Sequence, residues 1–121
     1  MSLIEHDLIA IGGGTAGLVS SAGAAYLGVR SALVERAALG GDCLWTGCVP
    51  SKALLASARL AHAMRNAESL GLVGTPPADV FCSVMARMRE ARERVAHHDD
   101  PERFRQMGVD VRFGTARFIG P

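Results

Sequence analysis

Two short apolar runs near the start of the chain enclose a longer stretch with helical spacing. The runs cover residues 7–11 and 29–35, and the first ends in three consecutive glycines. Small and apolar residues recur every three or four positions over 15–27, and Gly28 follows as a typical helix stop. This order predicts a βαβ unit with a parallel sheet and a right-handed crossover. The unbroken apolar character of the first run also predicts a strand that is buried on both faces.

The rest of the chain continues as an alternation of helices and strands. Helical spacing follows at 52–69 and 79–97, on either side of a turn-rich linker at 71–77. The second of these helices carries an apolar side formed by Phe81, Val84, Met85, Met88 and Val95, with Arg and Glu on the other side. The pattern ends with a short helix at 101–107, a strand at 109–113 and the start of another strand at 114–119. The predicted fold class is α/β, built on a parallel sheet.

Composition and charge narrow the class of protein. The 121 residues suffice for one domain, and 49% hydrophobic residues make the chain too apolar for a disordered tail. A formal charge of +1 argues against a nucleic-acid-binding protein. No apolar run approaches the roughly 20 residues that span a bilayer, and no export signal is recognisable, so we expect a cytoplasmic protein without a membrane partner. Because the pattern stops just after a strand has begun, we expect the front portion of a longer protein.

The first candidate site is the glycine-rich turn after the first strand. Gly12, Gly14 and Gly17 fit the spacing Gly-x-Gly-x-x-Gly, and Glu35 lies at the end of the second predicted strand. In a dinucleotide-binding unit, such glycines allow a tight turn, a close approach of the pyrophosphate and close packing of helix and strand. The helix N-terminus attracts the phosphates, and the acidic residue accepts hydrogen bonds from the ribose. We therefore interpret the motif as a dinucleotide site; the alternative is an ordinary strand-to-helix turn with an exposed Glu35.

The second candidate site is a pair of cysteines in a glycine-rich segment. Cys43 and Cys48 are separated by four residues, and the third cysteine, Cys82, lies in a predicted helix without a partner nearby. The histidines of the predicted helices lack the spacing of metal ligands and are expected at the surface, so no metal site is predicted. The pair is then either two reduced thiols without a role or a redox-active disulfide.

Helix geometry restricts how this pair could form a disulfide. On a regular helix, Cα atoms five residues apart are roughly 8–9 Å apart, whereas a disulfide needs less than about 7 Å. The segment must therefore be looped or distorted, and Gly47 supplies the conformational freedom. Lys52, the only lysine of the chain, follows Cys48 by one helical turn. We expect this electropositive setting to lower the pKa of the thiols, which favours the redox-active disulfide.

The same segment resembles a known active-site signature. Residues 40–52, Gly-Gly-Asp-Cys-Leu-Trp-Thr-Gly-Cys-Val-Pro-Ser-Lys, are similar to the redox motif of class I pyridine nucleotide-disulfide oxidoreductases, which include lipoamide dehydrogenase, glutathione reductase and mercuric reductase. The glycine motif, Glu35 and residues 114–118 lie in register with that family, so the resemblance covers essentially the whole chain. The segment is most similar to the mercuric-reductase-like and lipoamide-dehydrogenase-like members. It departs from the family at Asp42, where threonine is common, and at Trp45, which we expect to shape the substrate side of the disulfide.

The resemblance implies a cofactor, FAD, and a redox chain. Electrons would pass from NAD(P)H through FAD to a Cys43–Cys48 disulfide, and from there to a small-molecule disulfide or a metal-ion substrate. Cys48 would lie next to the flavin, Cys43 would exchange with the substrate, and Lys52 would favour negative charge on the flavin. The residues that the resemblance implies in cofactor binding are Gly12, Gly14, Thr15, Ala16, Gly17, Glu35, Arg36, Gly41, Asp42, Cys43, Cys48, Lys52 and Ala116.

The resemblance also implies a domain that extends beyond these residues. Residues 1–121 would form the N-terminal portion of a Rossmann-like FAD-binding domain. A second FAD contact region, the NAD(P)H-binding domain and the dimerisation domain would lie outside, and a His-Glu pair from the partner would complete the site of an intact homodimer. Alone, the chain is expected to show no turnover and to bind FAD weakly or not at all.

Two other classes of function remain open on the residues alone. An NAD-dependent dehydrogenase with incidental cysteines would share the glycine motif. A non-enzymatic thiol or metal-binding module would bind soft metal ions through Cys43 and Cys48 and would not depend on Gly14.

Overall fold

A three-stranded parallel sheet forms the centre of the structure, a computed structural model that describes residues 3–78 and 80–120. The strands, in their spatial order, are β1 (Leu8–Ile11), β2 (Ser31–Glu35) and β3 (Val109–Phe113). Ser31 of β2 lies opposite Leu8 on one side and Val109 on the other, and both pairings are parallel. The carboxyl ends of all three strands therefore lie at one edge of the sheet. The predicted α/β class with a parallel βαβ unit is confirmed.

Helices connect the strands. They are α1 (Thr15–Tyr26), α2 (Gly41–Trp45), α3 (Cys48–Arg65), α4 (Phe81–Ala96) and α5 (Pro101–Gln106), with 3₁₀ turns at Ala67–Leu70 and His97–Asp99. The two long helices predicted after the cysteines are thus α3 and α4, although Asp79, where the second was expected to begin, lies outside the described residues. Helix α3 begins four residues earlier than expected. Pro50 is tolerated in its first turn because the backbone N–H groups there have no acceptor within the helix.

The core lies between one face of the sheet and the helices α1 and α5. Its buried residues are Leu18, Leu33, Leu39, Phe104, Val109 and Val111, with Ala10, Ala22 and Ala25 packed against them. Leu33, in the middle of β2, is fully buried. Burial of an apolar side chain of this size contributes about 1.5–3 kcal/mol. The cluster therefore stabilises the strand ends that carry the candidate site.

The other face of β1 is exposed, so the expectation of a strand buried on both faces is wrong. Ile9 and Ile11 are 56% and 60% exposed. Side chains alternate along a strand, and the core lies against the face that carries Ala10 and Leu33. Ile9 and Ile11 therefore point to the opposite face, which the described ranges leave largely uncovered at this strand. The apolar sequence of β1 predicts that apolar groups cover both of its faces, but it does not identify the residues that cover them.

One further expectation differs from the structure. Residues 115–120 form no strand in the described part of the chain, although 114–119 has the apolar pattern of one. Gly114 still donates its N–H to the carbonyl of Glu35 at 2.8 Å, but its φ of +156° redirects the backbone, which leaves the sheet there. On α4, Met88 is buried, whereas Phe81 and Val95 are exposed. The apolar face of α4 is thus buried at its centre and open at its ends.

The described residues include no helix that is both long and apolar enough to cross a membrane.

Helix α1 approaches the end of β1 as closely as only glycine permits. A Cβ at Gly17 would lie 1.9 Å from the carbonyl oxygen of Gly12 and 3.2 Å from the side chain of Leu33. Gly12 itself has a φ of +101°, which turns the chain sharply from strand to helix. These are the packing and turning roles that the glycine spacing predicts for the two positions.

We expect Gly17→Val to lower the free energy of unfolding by about 3 kcal/mol, because α1 would have to move away from β1. Urea denaturation followed by circular dichroism measures the change. The matched control is Gly23→Ala on the same helix, where a Cβ meets nothing within 4 Å. This control should stabilise the protein by about 0.5–1 kcal/mol through helix propensity. Equal losses in the two variants would contradict the packing role of Gly17.

Candidate functional site

A groove of about 770 Å³ lies at the carboxyl ends of the strands, where ligands bind in open α/β sheets. Residues of the implied cofactor set line the groove from three separate segments of the chain. Those that line it are Gly12, Gly14, Glu35, Arg36, Gly41, Asp42 and Ala116. The turn after β1, the turn after β2 and the segment after β3 thus meet at a single surface.

Other residues, which are not in the implied cofactor set, also line this groove. They are Ile11, Val34, Ala37, Ala38, Trp45, Gly114 and Thr115. Most of them end or directly follow a strand. Because parallel strands present their carboxyl ends at the same edge, the predicted ends of β1, β2 and β3 were the signal that could have found them.

The N-terminus of α1 is suited to an anion. Its cap residue is Gly14, which provides no side-chain hydrogen bond, and the first turn of α1 contains no acidic residue. The first N–H groups of a helix have no acceptor within it, and the helix dipole places partial positive charge there. Gly14 lines the groove, so this positive end faces the space where a ligand would lie.

The two glycine-rich turns lie in direct backbone contact. A Cβ at Gly41 would lie 2.7 Å from the Cα of Gly14, and Gly41 has a φ of +56°. The N–H of Gly40 donates to the carbonyl of Gly13 at 2.7 Å. Since no side chain separates the two turns, the start of α2 is fixed directly beside the start of α1.

Glu35 joins β2 to the same cluster. Its carboxylate accepts hydrogen bonds from the N–H of Gly13 at 2.5 Å and from the N–H of Ala37 at 2.8 Å. The bond from Gly13 is the main reason why the pKa of Glu35 lies below its ordinary value; burial opposes the shift. The residue proposed to bind a ribose therefore also stabilises the turn that would bind the phosphates.

The cysteines lie on two different helices. Cys43 is in α2, Cys48 is the first residue of α3, and the helical path is broken at Thr46 and Gly47. A Cβ at Gly47 would lie 2.8 Å from the carbonyl oxygen of Asp42, so the break packs tightly against the preceding turn. The expectation that this segment departs from a regular helix is confirmed. Both cysteines, like Cys82, are exposed free thiols.

The electrostatics of the pair differ from the expectation. The pKa of Cys43 lies above its ordinary value, chiefly because its thiol interacts with the neighbouring thiol of Cys48 and because it loses some hydration. The charge of Lys52 lowers this pKa, but by less. The expected lowering is therefore wrong for Cys43, because the effect of the Cys48 thiol on its pKa outweighs that of the Lys52 charge.

Six residues of the implied cofactor set do not line the groove. Thr15 and Cys43 line a second cavity of about 370 Å³ between α1, α2 and the region of α5. The others, which line neither cavity, are Ala16, Gly17, Cys48 and Lys52. Ala16 and Gly17 belong to the first turn of α1, and Lys52 is exposed on α3, one turn after Cys48.

The histidines expected at the surface, His62, His97 and His98, are exposed. His6 instead pairs with Asp110 at 3.1 Å. Within residues 3–78 and 80–120, no three His, Cys, Asp or Glu side chains group in a way that could hold a metal ion.

Trp45 lies elsewhere than expected. It lines the groove beside Gly41 and Asp42, and its indole N–H donates to the carbonyl of Leu39 at 2.9 Å. The structure thus places this side chain on the side of the glycine turns, where a cofactor would bind.

Comparison with known proteins decides the family. The model of the pyridine nucleotide-disulphide oxidoreductase family matches residues 6–118. The chain belongs to this family. The resemblance that rested on the cysteine segment and the glycine motif is therefore confirmed across nearly the whole chain.

Members of this family similar to the chain are dihydrolipoyl dehydrogenases. The chain is 48% identical over 95 residues to that of Zymomonas mobilis, which covers 78% of the chain and 20% of the relative. It is 43% identical over 116 residues to that of Thermus scotoductus, which covers 96% of the chain and 25% of the relative. The chain thus spans about a quarter or less of the length of these relatives.

A solved structure supports the same fold. The HOCl-induced flavoprotein disulfide reductase RclA of Escherichia coli, solved as a Cu(II) complex, matches with a TM-score of 0.68 and 25% identity. The match covers 97% of this chain and 23% of the other. The sheet, the glycine turns and the helices after the cysteines therefore follow the Rossmann-like architecture of a flavoprotein.

Glu35→Gln should lower the free energy of unfolding by about 1 kcal/mol at pH 7, because an amide has one oxygen for two N–H donors and no charge. A folded-state pKa below the ordinary value means that this stabilisation is complete above about pH 4.3 and is lost as the pH falls further. The difference from wild type, measured by urea denaturation, should therefore shrink between pH 7 and pH 3. Glu90→Gln, exposed on α4, is the control. A difference that does not change with pH would contradict the role of the carboxylate.

Cys48→Ala should lower the pKa of Cys43, because the thiol that raises it is removed, whereas Lys52→Met should raise it further. Iodoacetamide reacts with the thiolate, so its rate at Cys43, followed by peptide mass spectrometry across pH, reports this pKa. At pH 8 the rate should rise several-fold in Cys48→Ala and fall in Lys52→Met. Cys82→Ser should leave the profile unchanged. An unaltered profile in Cys48→Ala would show that Cys48 does not control Cys43.

Proposed function

We propose that this chain supplies the FAD-binding groove and the redox-active cysteines of a flavin-dependent disulfide oxidoreductase. The observation that carries the proposal is the backbone contact between the two glycine turns, which brings the start of α1 and the cysteine-bearing helix α2 to one groove. The likeness to dihydrolipoyl dehydrogenases and to a flavoprotein disulfide reductase supports it.

The groove fits a dinucleotide in size and in chemistry. Its volume of about 770 Å³ lies in the range of cofactor sites. Gly12 and Gly14, with the amides of Thr15 and Ala16, would hold the pyrophosphate at the start of α1. Glu35 and Arg36 would bind the adenosine ribose and add charge beside it, and Ala116 would meet the adenine. Gly41 and Asp42 would lie along the rest of the molecule.

The chain's own chemistry is thiol–disulfide exchange. FAD, when bound, accepts a hydride from NAD(P)H and passes two electrons on. The Cys43 thiolate attacks one sulfur of a disulfide substrate, breaks its S–S bond and releases one substrate thiol. The Cys48 thiolate then attacks Cys43, which releases the second thiol and leaves a Cys43–Cys48 disulfide. Two electrons, ultimately from NAD(P)H, and two protons restore the dithiol.

The position of each thiol supports this division of roles. Cys43 is exposed and lines the second cavity, so a substrate sulfur can approach it. Cys48 begins α3, where negative charge on a sulfur lies at the positive end of an 18-residue helix. Lys52, one turn further on, acts to lower the pKa of Cys43 and would favour negative charge on a flavin near Cys48.

The relatives favour a substrate of the lipoamide class, because those cited are dihydrolipoyl dehydrogenases. A metal-ion substrate would use the same two thiols. We further propose that NAD(P)H binding, dimerisation and the acid/base pair belong to protein outside these 121 residues. The chain spans about a quarter or less of its relatives, in agreement with that proposal.

The test is a ¹H–¹⁵N NMR titration of the whole chain with FAD up to millimolar concentration. We expect weak binding that shifts the amide signals of Gly12, Gly14 and Gly41. Gly14→Val should abolish the shifts because its side chain would fill the space beside the helix N-terminus. Gly23→Ala should retain them.

Two results would contradict the proposal. The first is FAD binding whose amide shifts spare the glycine turns or are confined to the second cavity. The second, which concerns the domains proposed to lie outside these residues, is NAD(P)H-dependent disulfide reduction by this chain alone.

A further inference from the structure

The only tryptophan of the chain is held across the turn between β2 and α2. Trp45 is the last residue of α2, and its indole N–H donates to the carbonyl of Leu39 at 2.9 Å. Leu39 is itself buried in the core cluster. The polar edge of the indole is therefore anchored to the core, while another part of the side chain lines the groove.

A cation covers the ring. The guanidinium carbon of Arg92 lies 5.3 Å from the centroid of the Trp45 ring, within the range of a cation–π contact. Arg92 lies on α4 one turn after Met88, which is buried, so both residues face inward from the same side of the helix. Helix α4 packs against α2 on this side.

The guanidinium of Arg92 includes a buried donor without a hydrogen bond within the described part of the chain. Its Nε is buried and finds no hydrogen-bond partner among the described residues. A buried N–H without an acceptor costs free energy, so the position needs a compensating interaction. The cation–π contact with the face of Trp45 supplies one.

We propose that Arg92 fixes the indole of Trp45 as an aromatic wall of the groove, and that Trp45 contacts the bound dinucleotide. The inference rests on the proposed function. Arg92 does not line the groove, so it acts through Trp45 and is a positioning residue. The hydrogen bond to Leu39 fixes the N–H edge of the indole, and the guanidinium of Arg92 restricts movement of its ring face. A fixed aromatic surface beside the glycine turns complements the flat rings of a dinucleotide.

Fluorescence tests this proposal directly, because emission from the single tryptophan reports Trp45 alone. Titration of the chain with FAD should quench this emission with the same midpoint as the NMR shifts of Gly14. N-acetyltryptophanamide titrated in parallel corrects for absorption by the flavin. In the absence of FAD, quenching by acrylamide measures how firmly the indole is held.

Three arginine variants separate positioning from folding. Arg92→Met should increase the acrylamide quenching constant and weaken FAD binding, each by about threefold, since a cation–π contact of this kind is modest. Arg92→Lys keeps the cation and should restore most of both. Arg94→Met, on an exposed part of the same helix, should change neither. Circular dichroism should show the same helix content in all three variants.

The outcomes distinguish this inference from the proposed function. Shifts at Gly14 without any quenching of Trp45 would overturn the contact and leave the FAD site intact. Quenching constants and FAD affinities that are equal in wild type and Arg92→Met would overturn the positioning role. If FAD binds but shifts no amide of the glycine turns, both the proposed function and this inference are wrong.

Discussion

Contacts between backbone atoms, which only glycine permits, hold the candidate site together. Gly17 lies against Gly12, and Gly41 lies against Gly14, so the start of α1, the end of β1 and the start of α2 touch without an intervening side chain. The carboxylate of Glu35 links the end of β2 to the same point through the N–H of Gly13. The positive end of α1 and the helix that carries Cys43 therefore keep a constant separation. A larger residue at Gly17 or Gly41 would change that separation before it touched any ligand.

The break between α2 and α3 determines the chemistry of the thiols. A regular helix would keep Cys43 and Cys48 too far apart for a disulfide, whereas two helices joined at Thr46 and Gly47 bring the thiols into interaction. That interaction also raises the pKa of Cys43. Proximity thus has two effects: it allows exchange between the sulfurs, and it keeps Cys43 protonated to a higher pH. Lys52 opposes the second effect without cancelling it.

The local sequence patterns predicted those features of the fold that depend on residues close together in the sequence. The βαβ unit, the parallel sheet, the turn at Gly12 and the break near Gly47 follow from spacing and backbone geometry alone. The exposure of Ile9 and Ile11 could not be predicted, because an apolar strand needs cover that this part of the fold does not provide. The place of Trp45 depends on how α2 rotates against α4, and the pKa of Cys43 depends on a thiol brought close by the break. The position of Trp45 and the pKa of Cys43 thus depend on tertiary contacts, which the spacing of residues in the sequence does not predict.

Helix α2 is little more than one turn long, yet its residues face two different spaces. Asp42 lines the groove, and its neighbour Cys43 lines the second cavity, because successive residues of a helix point about 100° apart. The helix therefore separates the groove from the second cavity. A displacement of Cys43 would also move Asp42 and Trp45, because all three belong to the same five-residue helix. Contact of a molecule with Cys43 and the shape of the groove are therefore linked through one short helix.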